Sequence, residues 1–196
     1  MIELVKQIAD LQRQVDGLIK PEVPLGMSLI SETVLSASAA SIAFSSISDR
    51  FRHLILFTWA RGDDAGAADE ILLRFNGDSA GNYDWQQVFV SSTSITALAS
   101  RAATSSRSTT SEGGGSFADT FSPGVMFIIN YADATAQKAF VTLSGRSGDL
   151  SANTQLALFA RYGHWRSTAA ITSITLIPSI GANFVSGSKF SLYGVL

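Results

Sequence analysis

Two histidines, His53 and His164, are the chain's only side chains that exchange protons near neutral pH without help, and there is no cysteine. Thiol nucleophiles, disulfides and cysteine-ligated metals are therefore excluded. His53 lies inside an apolar stretch, where a structural role is expected. His164 stands in Gly163-His164-Trp165-Arg166, near the end of a strand-like run, with no serine or carboxylate at a motif spacing. The hydrolase elbow pattern is met only in part by Gly145-Arg146-Ser147-Gly148 and fails at its last position. No phosphate loop and no dinucleotide fingerprint occurs. The residues predict no catalytic group, no cofactor and no metal.

Binding chemistry has more candidates. Asp63, Asp64, Asp69 and Glu70 could offer hard oxygens to calcium, and so could Asp78, Asn82 and Asp84, but neither group has a calcium-loop spacing. Solvated loops are the expectation for both. Arg61-Gly62-Asp63 spells an integrin-type tripeptide, a match too short to carry weight. Two aromatic groups are candidates for stacking on sugar rings: Tyr83 with Trp85, and Tyr162 with His164 and Trp165. Core packing competes with that reading, because aromatics also fill buried sheet faces.

Composition narrows the classes further. The chain has 196 residues, long enough for one domain plus an appendage and for a core without staples. Charged residues make up only 15%, against a norm of about 25%. Polarity comes from 28 serines and 14 threonines instead, and 46% apolar residues exclude a disordered chain. A net charge of −2 speaks against a nucleic-acid partner, which needs a basic face. The apolar runs are too short for membrane insertion as a helix. Met1 leads into a charged amphipathic segment and not a basic-then-apolar leader, so synthesis in a cytoplasm is expected.

The elements that must position these residues fall into two parts. In residues 1–20, Met1, Ile8 and Val15 alternate with Leu4, Leu11 and Leu18 at spacings of three and four, a coiled-coil seam. The opposite face carries Glu3, Lys6, Asp10, Arg13 and Asp16. The seam predicts an oligomerisation helix, followed by a linker over 21–27 in which Pro21 and Pro24 stop the helix. A β-branched residue at one core position with leucine at the other favours two strands in isolated coils.

From 28 to 196 the pattern is β. Strands are predicted at 27–35, 40–44, 53–61, 70–76, 83–90, 124–131, 137–144, 155–163, 170–178 and 188–195. The stretch from His53 to Trp59 is nearly all apolar, as in a strand covered on both faces. Asn76-Gly77 signals a tight turn. Strands without strong helices between them predict an all-β, antiparallel β-sandwich preceded by the short N-terminal helix. Segment 91–116, rich in serine and threonine and ending in Gly113-Gly114-Gly115, reads as a long loop, with a weakly patterned helix an alternative at 95–103.

Three stretches carry a family likeness: Phe51 to Leu56; Leu73-Arg74-Phe75-Asn76-Gly77-Asp78 running on to Tyr83; and the tail from Ala170, through Gly181-Ala182-Asn183-Phe184, to Leu196. Together, over about residues 28–196, they resemble a widespread group of tailed-bacteriophage virion proteins found as fibre, tail and head-decoration components. The resemblance implies a jelly-roll-like sandwich, often at the C-terminal end of a trimeric appendage, and a virion location. It implies no activity and transfers no catalytic residue. It favours a homotrimer over the dimer to which the seam leans. This chain departs from the group in lacking a long shaft or capsid-binding module, so attachment must use the helix, segment 21–27 or a face of the sandwich.

The function expected is that of a non-enzymatic virion structural protein: a trimeric fibre or decoration component held by Leu4, Ile8, Leu11, Val15 and Leu18. Its partners would be itself, other virion proteins and host-surface glycan, the last touched through Tyr83, Trp85, Tyr162, His164 or Trp165. A dedicated glycan-recognising tail tip is the alternative. A polysaccharide depolymerase is a third reading, which needs a carboxylate pair across a groove.

Overall fold

In the computed structural model, Gln7, residues 26–148 and residues 156–196 are described. The expected seam residues, Leu4, Ile8, Leu11, Val15 and Leu18, lie outside these. Twelve strands follow in order: β1 (Met27–Val34), β2 (Ile42–Phe44), β3 (His53–Ala60), β4 (Ala68–Phe75), β5 (Tyr83–Ser91), β6 (Ser94–Ala103), β7 (Ser106–Glu112), β8 (Ser122–Ile129), β9 (Lys138–Arg146), β10 (Ala157–Trp165), β11 (Ile174–Pro178) and β12 (Lys189–Val195). No helix among the described residues is long and apolar enough to cross a membrane.

The strands form two antiparallel sheets. One has eight strands in the order β1-β12-β3-β8-β9-β10-β5-β6, and the other has four in the order β2-β11-β4-β7. The chain switches sheets at each step except along the added hairpin β5–β6 and the run β8–β9–β10, whose last two strands are the other added hairpin. Asn76 and Gly77, with φ of 51° and 70°, make one such switch as a tight turn between β4 and β5, closed by the Asp78 N–H on the Phe75 carbonyl at 2.9 Å.

The core between the sheets follows from period-two alternation. Leu54 and Leu56 of β3, Ile71, Leu73 and Phe75 of β4, Met126 and Ile128 of β8, Ile174 and Leu176 of β11, and Phe190 and Leu192 of β12 are all buried. Phe75 packs edge-on against Phe140 of β9 at 5.6 Å between centroids.

Segment 91–116 is not a loop, and 95–103 is not helical: they hold β6 and β7. The inward positions of β7 are Ser, Thr and Glu, all buried, so the hydrophobic alternation that marks a strand is missing there. Threonine's branched side chain still suits the pleat. Thr109 bonds Thr58 across the interior at 2.9 Å between hydroxyl oxygens.

Candidate functional site

A buried polar cluster joins the two sheets where β7 lies over the added strands. The Arg161 side chain of β10 is fully buried. It donates to Gln87 Oε1 at 3.0 Å, to the Ser108 carbonyl at 3.0 Å, to Ser144 Oγ at 3.1 Å, and to Glu70. Arg107 reaches the other Glu70 oxygen at 3.3 Å and lies over the Trp85 ring, 4.6 Å from its centroid. Burial pushes the Glu70 carboxyl up against the pull of Arg161 and Arg107, and it brings the Arg161 guanidinium down to about 10. The arrangement clamps strands, and its charges face each other.

The other acids also hold neighbouring segments: Asp63, Asp64, Asp78 and Asn82 lie in loops as expected, whereas Asp69 and Glu70 stand in β4 and Asp84 in β5. Asp69 is 2% exposed and accepts the amides of Ile180 and Gly181. Asp63 holds Asn183 through its amide at 2.9 Å and its side chain at 2.8 Å. Asp78 takes the Trp165 indole at 2.7 Å and the Asn82 amide group at 2.9 Å. Arg61, first member of the integrin-like tripeptide, donates to the Phe117 and Thr120 carbonyls at 2.6 and 3.1 Å. Among the described residues no group of three or more His, Asp or Glu side chains could hold a metal ion.

The aromatic candidates separate. Tyr83 and Trp165 point into the core, 0% and 3% exposed, and stack on each other at 6.5 Å. The Tyr83 hydroxyl accepts the Phe75 amide at 2.9 Å, and burial pushes its phenol up to about 12. These two cannot meet a sugar. Trp85 is half-buried beneath Arg107. Tyr162 and His164 alternate to the opposite face of β10, and Tyr162 is 49% exposed. His53 is on that face too, its Nδ1 accepting the Asn130 amide at 3.1 Å.

Around Tyr162 and His164 lies a shallow cavity of about 320 Å³, lined also by Asp84, Gln86, Ser100 and Arg101. Register places Asp84 of β5 directly beside His164. Asp84 accepts the Ala102 amide at 2.9 Å and sits 3.6 Å from Arg166 Nε and 3.7 Å from His164 Nδ1. The Ala102 amide, then Arg166, Arg101 and His164, outweigh partial burial and hold its carboxyl below the usual range. An exposed aromatic face flanked by a carboxylate, an imidazole and guanidinium groups can stack on a ring and bond its hydroxyls. Asp84 and Arg101 were not legible as partners of this pair, because only strand register joins β5, β6 and β10.

Three more cavities, of about 360, 410 and 510 Å³, occur on the same outer face of the large sheet, with Val141, Leu143 and Leu158 among their walls. Register gives the face its composition. One row reads Leu29, Tyr193, Ile55, Phe127, Val141, Tyr162, Gln86 and Ala99 across all eight strands. The next reads Glu32, Ser191, Phe57, Val125, Leu143, Ala160, Val88 and Ala97. Trp59, Leu158, Val90 and Ile95 extend it. Glu32 and Lys189 pair with each other at 3.0 Å on the β1 side. The apolar run His53–Trp59 suggests cover on both faces, yet Phe57 and Trp59 stand 40% and 48% exposed.

No family model matches the sequence, and no curated protein does. Among solved structures, a scytalido-glutamic peptidase bound to a transition-state analog inhibitor is similar at 10% identity with a TM-score of 0.31, over 74% of this chain and 66% of that one. The galectin LEC-6 of Caenorhabditis elegans is similar at 10% identity with a TM-score of 0.31, over 86% of this chain and 98% of that one. Likenesses this distant carry no argument about the site. What stands on this chain's own geometry is an all-β, antiparallel sandwich with an apolar outer face and a polar corner at Asp84, Tyr162 and His164.

Proposed function

We propose that the chain is a non-enzymatic virion structural protein of the tailed-bacteriophage kind, a homotrimer that projects from or caps the particle surface. In this reading residues 1–20 form the oligomerisation helix and the sandwich is jelly-roll-like. Strand order supports the second point: without the added hairpins, β1-β12-β3-β8 faces β2-β11-β4-β7, the double-sheet arrangement used by viral capsid and lectin domains. Fold alone does not assign function. The observation that carries the reading is the division of labour among side chains. The buried and half-buried acids and arginines bind one another or backbone, as Glu70, Arg161, Asp69 and Arg61 do, while the outer surface offers a wide contact face.

The polar corner favours a second role, weak adhesion to host-surface glycan through Tyr162, His164, Asp84 and Arg101. Three copies would strengthen it, since one engaged site raises the effective concentration of the others. Electron microscopy of intact particles labelled with an antibody to this chain tests the main proposal: label on the particle surface is expected, and particles free of the chain overturn it. Tyr162→Ala should abolish avid binding to bacterial envelope polysaccharide; unchanged binding would remove the corner from the adhesion role.

A further inference from the structure

Among the described residues, nothing covers the outer face of the eight-stranded sheet. Its four central strands present Ile55, Phe57 and Trp59; Val125, Phe127 and Ile129; Val141 and Leu143; and Leu158 and Ala160, with no charged side chain among them, while Tyr162 belongs to the polar corner beyond them. Among the described residues its charges stand at the margins, as the Glu32–Lys189 pair on one side and Asp84 with Arg166 at the opposite corner. An apolar centre inside a polar rim is the anatomy of a protein–protein interface, and interfaces between identical subunits have the more apolar centres. Isolated exposed apolar residues need no explanation, but a contiguous face does.

Size chooses between two occupants. Eight strands at about 4.8 Å spacing, read over seven residues of about 3.4 Å, make a plate of about 34 by 20 Å, or about 700 Å². That is close to the roughly 800 Å² each partner contributes to a specific, stable interface. The 19-residue helix expected from the heptads would be about 28 Å long and about 10 Å wide, so it would cover less than half the plate. Another copy of the sandwich supplies an area of the right size and kind.

Connectivity agrees. The chain leaves the heptad segment through 21–26 and enters the sandwich at Met27, in the edge strand β1. Met27 and Leu29 stand on the outer face, in register with Val195 and Tyr193, and are 46% and 52% exposed. A linker of six residues spans at most about 20 Å. Copies joined through the heptads are thus brought together at the margin of their apolar faces.

We infer that this face is the surface by which the sandwich binds further copies of this chain. The inference rests on the proposed reading of the chain as a homo-oligomer and assigns that assembly its surface. The seam of residues 1–20 then sets register and orientation, and the sheet face supplies most of the buried area.

The test is the mass of the full-length chain in solution by light scattering, with circular dichroism to report the fold. Leu143→Glu and, separately, Leu158→Glu place a carboxylate on the face at positions already 48% and 53% exposed in one subunit. The wild type should be a multimer. Each variant should fall to the mass of one subunit with an unchanged β spectrum. Ile180→Glu, 70% exposed and outside the large sheet, should keep the multimer. Footprinting of wild-type Trp59, which needs no variant, should show protection in the multimer. Two soluble face variants that keep the wild-type mass would overturn the surface assignment and leave the structural role standing. A chain missing from particles whose face variants nonetheless dissociate would do the reverse. A single-subunit wild type with Trp59 protected would mean that residues 1–25 cover the face, and would overturn both the assignment and the homo-oligomer.

Discussion

At the scale of single residues, the position most exposed to damage is Glu70. Its partner Arg161 has no solvent contact, and three of its four hydrogen-bond acceptors, the Ser108 carbonyl, Gln87 and Ser144, are uncharged. Removing one member of a buried ion pair leaves the other charge uncompensated, which costs about 3–5 kcal/mol. Glu70→Ala is therefore expected to lower the free energy of unfolding by that amount in urea melts; a loss below about 1 kcal/mol would mean that Arg161 finds water. The pair was partly legible in the sequence, where Glu70 stood out only as one of a run of acids. Arg161 sits 91 residues away in an alternating strand, and nothing local marks it as an inward residue.

At the scale of elements, β10 shows how a strand's packing is set by its smallest residue. Gly163 faces inward, and a Cβ there would lie 2.0 Å from Phe140 Cζ. The Phe140 ring is fixed in turn by Phe75. Gly163→Ala must displace a buried aromatic, and overpacking of this kind costs about 1–3 kcal/mol. The expected outcome is a lower thermal midpoint with an unchanged sheet spectrum. Strands such as β11 and β12 were readable because buried and more exposed positions alternate along them, with Ile174, Leu176, Phe190 and Leu192 inward. β7 was not, because its interior is a hydroxyl-lined and ion-paired wing of the sandwich. Its sequence, SRSTTSE, has the polarity of a surface loop.

At the scale of the whole molecule, stability should depend on acid in a predictable sense. Asp63, bonded first by the Asn183 amide, and Asp133, bonded first by the Thr135 hydroxyl, have carboxyls held below their ordinary value of 3.8. A carboxyl lowered by folding stabilises fully above its unfolded value and loses that contribution as pH falls through its folded value. Glu70, pushed up by burial, acts in the opposite sense. Thermal midpoints are expected to fall on acidification below about pH 4, and Asp63→Asn should make that fall shallower. A midpoint flat to pH 2 would show that these surface bonds do not couple to folding. The sequence by itself determined the β class and most strand positions, because alternation and spacing are local and follow from backbone geometry. Tertiary structure alone decided which aromatics are core and which are surface. Tyr83 and Tyr162 are indistinguishable as residues, and only the face each strand turns inward separates them. Register also gathered Ile55, Phe57, Val125, Phe127, Val141 and Leu143 from three strands into one uncharged face. That face exists only where hydrogen bonds align strands distant in sequence, and so no single segment could announce it.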